Sequence, residues 1–524
     1  MALGAGAATL IAWNFSLGVR LSTLPGASPA FRTLSGLCAF LFLPGLVIGL
    51  LGAGTLGARV LGPLAWMWPV VAVGMVVQAA WATLRGRSSV IVALPIAAFN
   101  ALIAWVSVVR WLDGLGATQP AWALTPGMAL SSLAALVAGD GAFPWMAAAL
   151  VPALVPAAPA RWRSTRVARS LVAAACATTV GLTALEAPRA FDTLSDVRTL
   201  DASAPLARSR TAPAIGVRLF GTLSEAPPVA VARQDMALAD SLAVTALQVD
   251  LAADGARAAT LDSVARCLEL RRDSVVLLVT FDLGAAGPRE RTDGAAMRVR
   301  LAAIERIVRR LHPDVLAPAA RIDTGAGAPS VAWWQSYYEQ AAAAARRADR
   351  DITVALATDA SMTADSALVD WVMRGDSPVD AVALTVRDGG ARPTQFTAAL
   401  DAITRWVSRA RTAPTVWIAG VSAAPAVTGE TVQQHLVRRA LAWSAAHAWV
   451  QGVIAGDASD GLAATGLRTA AGRARRALAD VGALLRAQRD LPSAPSGADA
   501  LPPHDTLAVD LRRPAPDTLP PPPP

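Results

Sequence analysis

Nearly all the long uncharged runs of this chain lie before about residue 187, and acidic residues are almost absent there but common afterwards. A hydrocarbon core about 30 Å thick takes about 20 apolar helical residues to cross. The stretches Ser35 to Gly57, Pro63 to Leu84, Ser89 to Trp111 and Val167 to Ala187 reach that length, and Ala2 to Val19 comes close. Trp122 to Ala157 is long enough for a hairpin turning at Gly139, Asp140 and Gly141, giving five to seven spans. The first run lacks the basic flank and cleavage site of a signal peptide and reads as a retained span. A polytopic membrane domain over 1–187 is therefore expected, with a water-soluble part after it.

Tryptophans of this half, among them Trp66, Trp68, Trp105, Trp111 and Trp122, lie mostly near span ends, where an indole suits the interface. Arg161, Arg163, Arg166 and Arg169 form its densest basic cluster, just before the last span. Such clusters stay cytoplasmic, so the soluble part is expected on the other face of a bacterial inner membrane, in the periplasm or its equivalent. Arg20, Arg32, Arg85 and Arg87, separated by spans, are not expected to share one side, which leaves the last loop to decide. Gly52, Gly54 and Gly57 spell GxGxxG without the strand and helix a dinucleotide site needs. Gly45 and Gly49 instead suit close helix packing. No chain of embedded acids, Lys or His marks an ion pathway, so anchoring is the expected role.

The net charge of +8 comes from scattered Arg, with no Lys in the chain, and the pattern argues against nucleic acid as a partner. Cys38, Cys176 and Cys267 show no pairing or metal-binding spacing, and neither a metal nor a cofactor is expected.

Residues 188–213, with Pro188, Pro205 and Pro213, read as a linker. Apolar β-branched runs then recur at Ile215 to Gly221, Val244 to Asp250, Ser274 to Asp282, Asp314 to Pro318, Ile352 to Thr358, Ala381 to Arg387, Thr415 to Ala419 and Trp449 to Ala455. Amphipathic patterns such as Met297, Leu301, Ile304, Val308 and Leu311 alternate with them, and a last one runs from Leu467 to Gln488. Eight such units over about 275 residues predict a (β/α)8 TIM barrel across 214–489. The fold class is thus an α-helical transmembrane bundle followed by an α/β barrel. The Pro-rich remainder, 490–524, reads as a disordered tail.

Barrel sites form at the C-terminal strand ends, where Asp250, Asp282, Asp323, Asp359, Asp388 and Asp457 fall. Each alone also suits a loop or a helix cap; six on one rim suggest a mouth for sugar hydroxyls or a cation. Trp333 and Trp334 are candidates to stack a sugar ring, or packing residues at a helix start. The four His residues have no metal-site spacing, and no GxSxG or P-loop is present.

Leu311-His312-Pro313-Asp314-Val315-Leu316, then Trp334, Tyr337 and Tyr338, then Ala348-Asp349-Arg350-Asp351-Ile352, resemble the fourth-to-fifth strand region of clan A glycoside hydrolases. Thr415-Val416-Trp417-Ile418 followed by Gly429-Glu430-Thr431-Val432-Gln433-Gln434 resembles the seventh strand and its helix. The resemblance implies an acid/base Glu ending strand four and a nucleophilic Glu ending strand seven, about 5 Å apart. This chain has Ala320 and Arg321 at the first position and Gly420 after Ala419 at the second. Arg is no general acid and Gly no nucleophile, so the expectation is a degenerate barrel that binds envelope polysaccharide or an envelope protein. Two alternatives stay open: a noncanonical hydrolase pairing Asp323 with Asp359, Asp388 or Asp457, with Asp250 and Asp282 binding substrate, and an assembly scaffold.

Overall fold

The computed structural model describes residues 2–51, 62–138, 151–157, 163–195, 213–269, 274–282, 294–320, 322, 329–359, 366–387, 394, 396–410, 415–422, 425–460, 465–469 and 472–490. Among the described residues six α-helices come first: α1 (Ala2–Ser22), α2 (Pro29–Leu51), α3 (Met67–Leu84), α4 (Val90–Gly114), α5 (Ala121–Ala138) and α6 (Arg163–Ser195). Among the described residues four helices are long and apolar enough to cross a membrane: Pro29–Ile48, Met67–Leu84, Val90–Gly114 and Arg166–Ser195. The final helix runs on through Pro188 to Ser195, eight residues into the segment read as linker.

Of the hairpin expected over Trp122 to Ala157, the turn at Gly139, Asp140 and Gly141 and the second arm as far as residue 150 lie outside the described residues. Its first arm is α5, and Val151–Ala157, at the end of the second, is in no helix or strand and is wholly buried among α1, α3 and α4. Pro152 and Pro156 have no backbone N–H to donate there. Buried backbone polar groups outside helix and strand then need partners from side chains. Asn14, near the middle of α1, donates to the Pro152 carbonyl at 2.7 Å and accepts from the Leu154 N–H at 2.8 Å. Asn100 of α4 makes the same double contact with Ala153, at 2.8 and 2.9 Å, and Gln78 of α3 with Val155, at 3.0 and 3.1 Å. The Trp13 indole donates to the Leu154 carbonyl at 3.0 Å. Three lone amides in apolar helices thus replace a stretch of secondary structure.

The arginines are also distributed differently from expectation. Arg87 donates to the Gly26 carbonyl at 2.5 Å, joining the α1–α2 and α3–α4 turns at one end of the bundle. α5 returns the chain toward that end, so Arg20, Arg32, Arg85 and Arg87 share it with the start of α6. An even number of helices separates these turns, which places them at one end.

The second unit is a closed barrel of eight parallel strands in sequential order, β1 (Ala214–Leu223), β2 (Ala246–Leu251), β3 (Val276–Phe281), β4 (Val315–Ala317), β5 (Thr353–Asp359), β6 (Ala381–Arg387), β7 (Thr415–Ser422) and β8 (Val450–Ser459), with β1 pairing β8. The helices around it are α7 (Val229–Leu242), α8 (Ala258–Leu268), α9 (Gly294–Leu311), α10 (Val331–Ala348), α11 (Ser366–Met373), α12 (Phe396–Arg409), a short α13 (Pro425–Thr428), α14 (Glu430–Ala446) and α15 (Arg476–Asp490). A ninth strand, β9 (Gly466–Arg468), pairs in parallel with the end of β8 at the start of the stretch expected to be helical, and the last helix starts at Arg476. Alternation along each strand splits the apolar residues. Val416 and Ile418 pack outward beneath the helices, while Trp417, Ala419, Ala355, Ala357, Ala381 and Ala383 fill the interior. The Trp417 ring leaves no room opposite: a Cβ on Gly452 would lie 2.2 Å from it.

The barrel docks on the helices through the C-terminal ends of its last three strands. Asp113, at the end of α4, accepts from the Thr431 N–H at 3.3 Å, from the Thr431 hydroxyl and from Arg476 at 3.1 Å. Gly429 makes this approach possible, since it holds φ 97° and a Cβ there would stand 2.6 Å from the Asp113 Oδ2. Thr394, in the loop after β6, donates its hydroxyl to Glu186 of α6, and its N–H reaches the Ser132 hydroxyl of α5 at 3.3 Å. Val109, Ala123, Leu124, Met128, Ala190 and Leu194 belong to the same apolar core as the barrel helices.

Candidate active site

The innermost charges of the mouth come from β1, β2 and β8. Arg218, Asp250 and the barrel-filling residues of those strands share the inward parity, so a cation in the apolar run of β1 has to meet partners inside. The Arg218 guanidinium bonds Asp250 at 2.7 Å through one terminal nitrogen and Asp457 through Nε. Asp250 also accepts from the Gln248 amide at 2.7 Å and from the Thr280 hydroxyl, and Asp457 from the Thr465 hydroxyl at 2.5 Å. Burial works against the Arg218 charge, but Asp457 and then Asp250 outweigh it and hold the guanidinium above its ordinary range. Fixed donors thus hold both carboxylates in place, with the Arg218 guanidinium as their shared counter-charge.

A second ionic group closes the β8 side. Arg475 grips Asp460 at 2.5 and 2.7 Å and donates to the Gly466 carbonyl, while Arg473 bonds Glu430. Beside it, β1 kinks at Phe220 and Gly221, both at positive φ, and Asp235 of α7 accepts the Phe220 N–H at 2.8 Å. Burial raises the Asp235 carboxyl above the usual carboxylate range. Arg218, Gln248, Thr280 and Asp235 were not among the residues singled out from sequence. The signal available was an Arg inside the strand run Ile215 to Gly221.

Of the other rim acids, Asp282 follows β3, half-buried, with its N–H on the Leu251 carbonyl at 2.7 Å. Asp359 closes β5. Asp323 and Asp388 lie outside the described residues, as does Arg321. Gly420 sits in β7 with open space around it but at φ 123°, a conformation a Glu side chain would strain. Ala320 follows β4 and carries no acid. Trp334 is buried at 2 % exposure, whereas Trp333 is half-buried and stacks on Tyr337 with ring centroids 5.5 Å apart. The Tyr337 hydroxyl donates to the Pro318 carbonyl at 2.6 Å, so this aromatic group fastens α10 to the end of β4. Trp334 therefore has packing partners in place of an open face. Among the described residues no three His, Cys, Asp or Glu gather to hold a metal ion. A cavity of about 540 Å³ lies at the opposite end of the barrel, between α8 and α9, lined by Leu247, Arg310, His312 and Asp314.

No protein-family model matches the chain, and no curated protein matches it. Its fold is similar to solved glycoside hydrolases. One is a psychrophilic family 10 endo-beta-1,4-xylanase, at 9 % identity and TM-score 0.36, with 56 % of this chain aligned to 99 % of that one. Another is the exo-beta-1,4-mannosidase Op5Man5 from Opitutaceae bacterium strain TAV5, at 14 % identity and TM-score 0.41, covering 56 % and 62 % of the two chains. A third is a GH5 protein from Streptomyces cattleya in complex with Manb1-4GlcNAc, at 13 % identity and TM-score 0.42, covering 54 % and 82 %.

Proposed function

We propose that this is a multi-pass protein of a bacterial cytoplasmic membrane whose barrel, on the extracytoplasmic side, binds envelope carbohydrate or a protein partner without turning it over. The observation that carries the reading is Arg218 bound between Asp250 and Asp457. A two-carboxylate hydrolase needs one acid free to give a proton and another free to attack or activate water. Here the two interior acids are tied to one guanidinium, and the strand-seven position is Gly420. Orientation is supported by Arg20, Arg32, Arg85 and Arg87 sharing the end of the bundle where α6 begins, opposite the barrel.

The test is to incubate the full-length protein in nanodiscs with immobilised envelope polysaccharides, measuring retention and, by mass spectrometry, released sugar. Retention without release is expected. Release that Asp323→Asn abolishes would overturn the reading in favour of a noncanonical hydrolase; absence of both retention and release would favour the scaffold.

A further inference from the structure

Two independent features mark the same end of the barrel. The first is docking: the loops after β6, β7 and β8 meet α4, α5 and α6 around Asp113, and Trp111, Leu115 and Trp122 flank that carboxylate with exposed side chains. Exposed indoles beside a span end mark the headgroup level of a bilayer. The contacted rim therefore lies at that level.

The second is the distribution of exposed apolar side chains over the barrel itself. Among the described residues after 213, only Val229, Val231, Val299 and Val331 are large, hydrophobic and exposed, Val229 at 74 % and Val299 at 70 %. Val229 and Val231 lie in the first turn of α7, Val331 opens α10 and Val299 is in the second turn of α9. In a barrel of this connectivity every helix starts at the C-terminal end of the preceding strand. All four valines thus stand at the end that carries the docking loops, on the β1, β3 and β4 sectors that α4, α5 and α6 leave uncovered. The opposite end, where turns such as that at Arg350 lie, presents none.

We infer that the barrel rests mouth-first on the bilayer that holds the helices, with Val229, Val231, Val299 and Val331 as its lipid contacts. The inference rests on the membrane-anchored reading above. The occupant of this apolar fringe is lipid because the fringe continues a rim already fixed at headgroup level by Asp113 and its neighbouring indoles. A mouth placed there admits ligands that approach along the membrane plane.

Site-directed fluorescence tests it. In full-length protein with Cys38, Cys176 and Cys267 replaced by Ala, single NBD labels are placed through Val229→Cys, Val299→Cys, Val331→Cys, Phe40→Cys and Arg350→Cys. Each labelled protein is then reconstituted in nanodiscs with or without a mixture of lipids nitroxide-labelled at the headgroup and along the acyl chain. Phe40, 74 % exposed on α2, reports the span; Arg350 reports the far end of the barrel. The expected result is that nitroxide lipid removes more than half of the emission at the three valine positions and almost none at Arg350. Quenching at Phe40 with none at the valines overturns the inference and leaves the membrane anchor standing. Quenching at no position, Phe40 included, overturns both.

Discussion

Replacing Arg218 with Met tests how the barrel mouth is held together. The side chains of Arg218, Asp250 and Asp457 are only 13 %, 3 % and 6 % exposed, so solvent does little to screen their interaction. Met keeps most of the stem volume but leaves two buried carboxylates without a counter-charge. Removing one partner of a buried pair costs about 3–5 kcal/mol, mainly because the remaining charge is stranded. For a unit of this size each 1 kcal/mol moves Tm by about 2–4 °C, so a fall of roughly 6–20 °C is expected. Adding Asp250→Asn and Asp457→Asn to Arg218→Met should recover most of that loss, since neutral amides retain hydrogen bonds without the stranded charge. Differential scanning fluorimetry of the full-length protein gives the apparent Tm, and hydrogen exchange over β1, β2 and β8 localises the effect. A loss under about 1 kcal/mol for Arg218→Met, or a triple variant no more stable than the single, would refute the stranded-charge account.

Asn100→Leu strips both partners from Ala153, at about 1–3 kcal/mol for each buried group left unpaired, and should show as a lower Tm in detergent with faster amide exchange at Ala153. Gly452→Ala drives a methyl into the Trp417 ring and should destabilise by about 1–3 kcal/mol, with Trp417→Phe, which removes the clashing ring atoms, recovering part in a thermal melt. Asp235 has a raised folded value, so its contribution is present below the ordinary carboxylate value of about 3.9 and is lost as pH rises through the folded one. Asp235→Asn, able to keep the Phe220 contact, should therefore raise Tm near pH 7, with the gain shrinking toward pH 4; a pH-independent difference would count against this.

The barrel was legible because eight β-branched runs with helical patterns between them leave few other folds, and each observed strand overlaps its expected run. β9 was missed because three residues, Gly466 to Arg468, give too short a pattern to separate from the amphipathic stretch after them. In the helical half, hydropathy cannot distinguish a buried helix from a buried irregular segment, and Val151 to Ala157 is apolar enough for either. The spacing of Pro152 and Pro156, with lone Asn14, Gln78 and Asn100 elsewhere in apolar runs, held the information. Its meaning depends on contacts as far as 140 residues apart. At the mouth, strand-end position was readable for Asp250 and Asp457, but their shared partner Arg218 depends on barrel closure between β1 and β8.

The docking contacts also set an order of events during synthesis. Asp113 emerges with the helices, yet the groups that satisfy it, Thr431 and Arg476, follow 318 and 363 residues later. Closing so long a loop adds little entropic cost beyond that of a shorter one, but it has to wait for the last strands to be made. Throughout that interval the carboxylate and the apolar ends of α5 and α6 remain uncapped. A nascent chain stalled before Thr431 thus has a helical bundle with an unsealed face and a barrel missing β8, the strand that closes it on β1. Quality control acting on such a chain would find both defects at once.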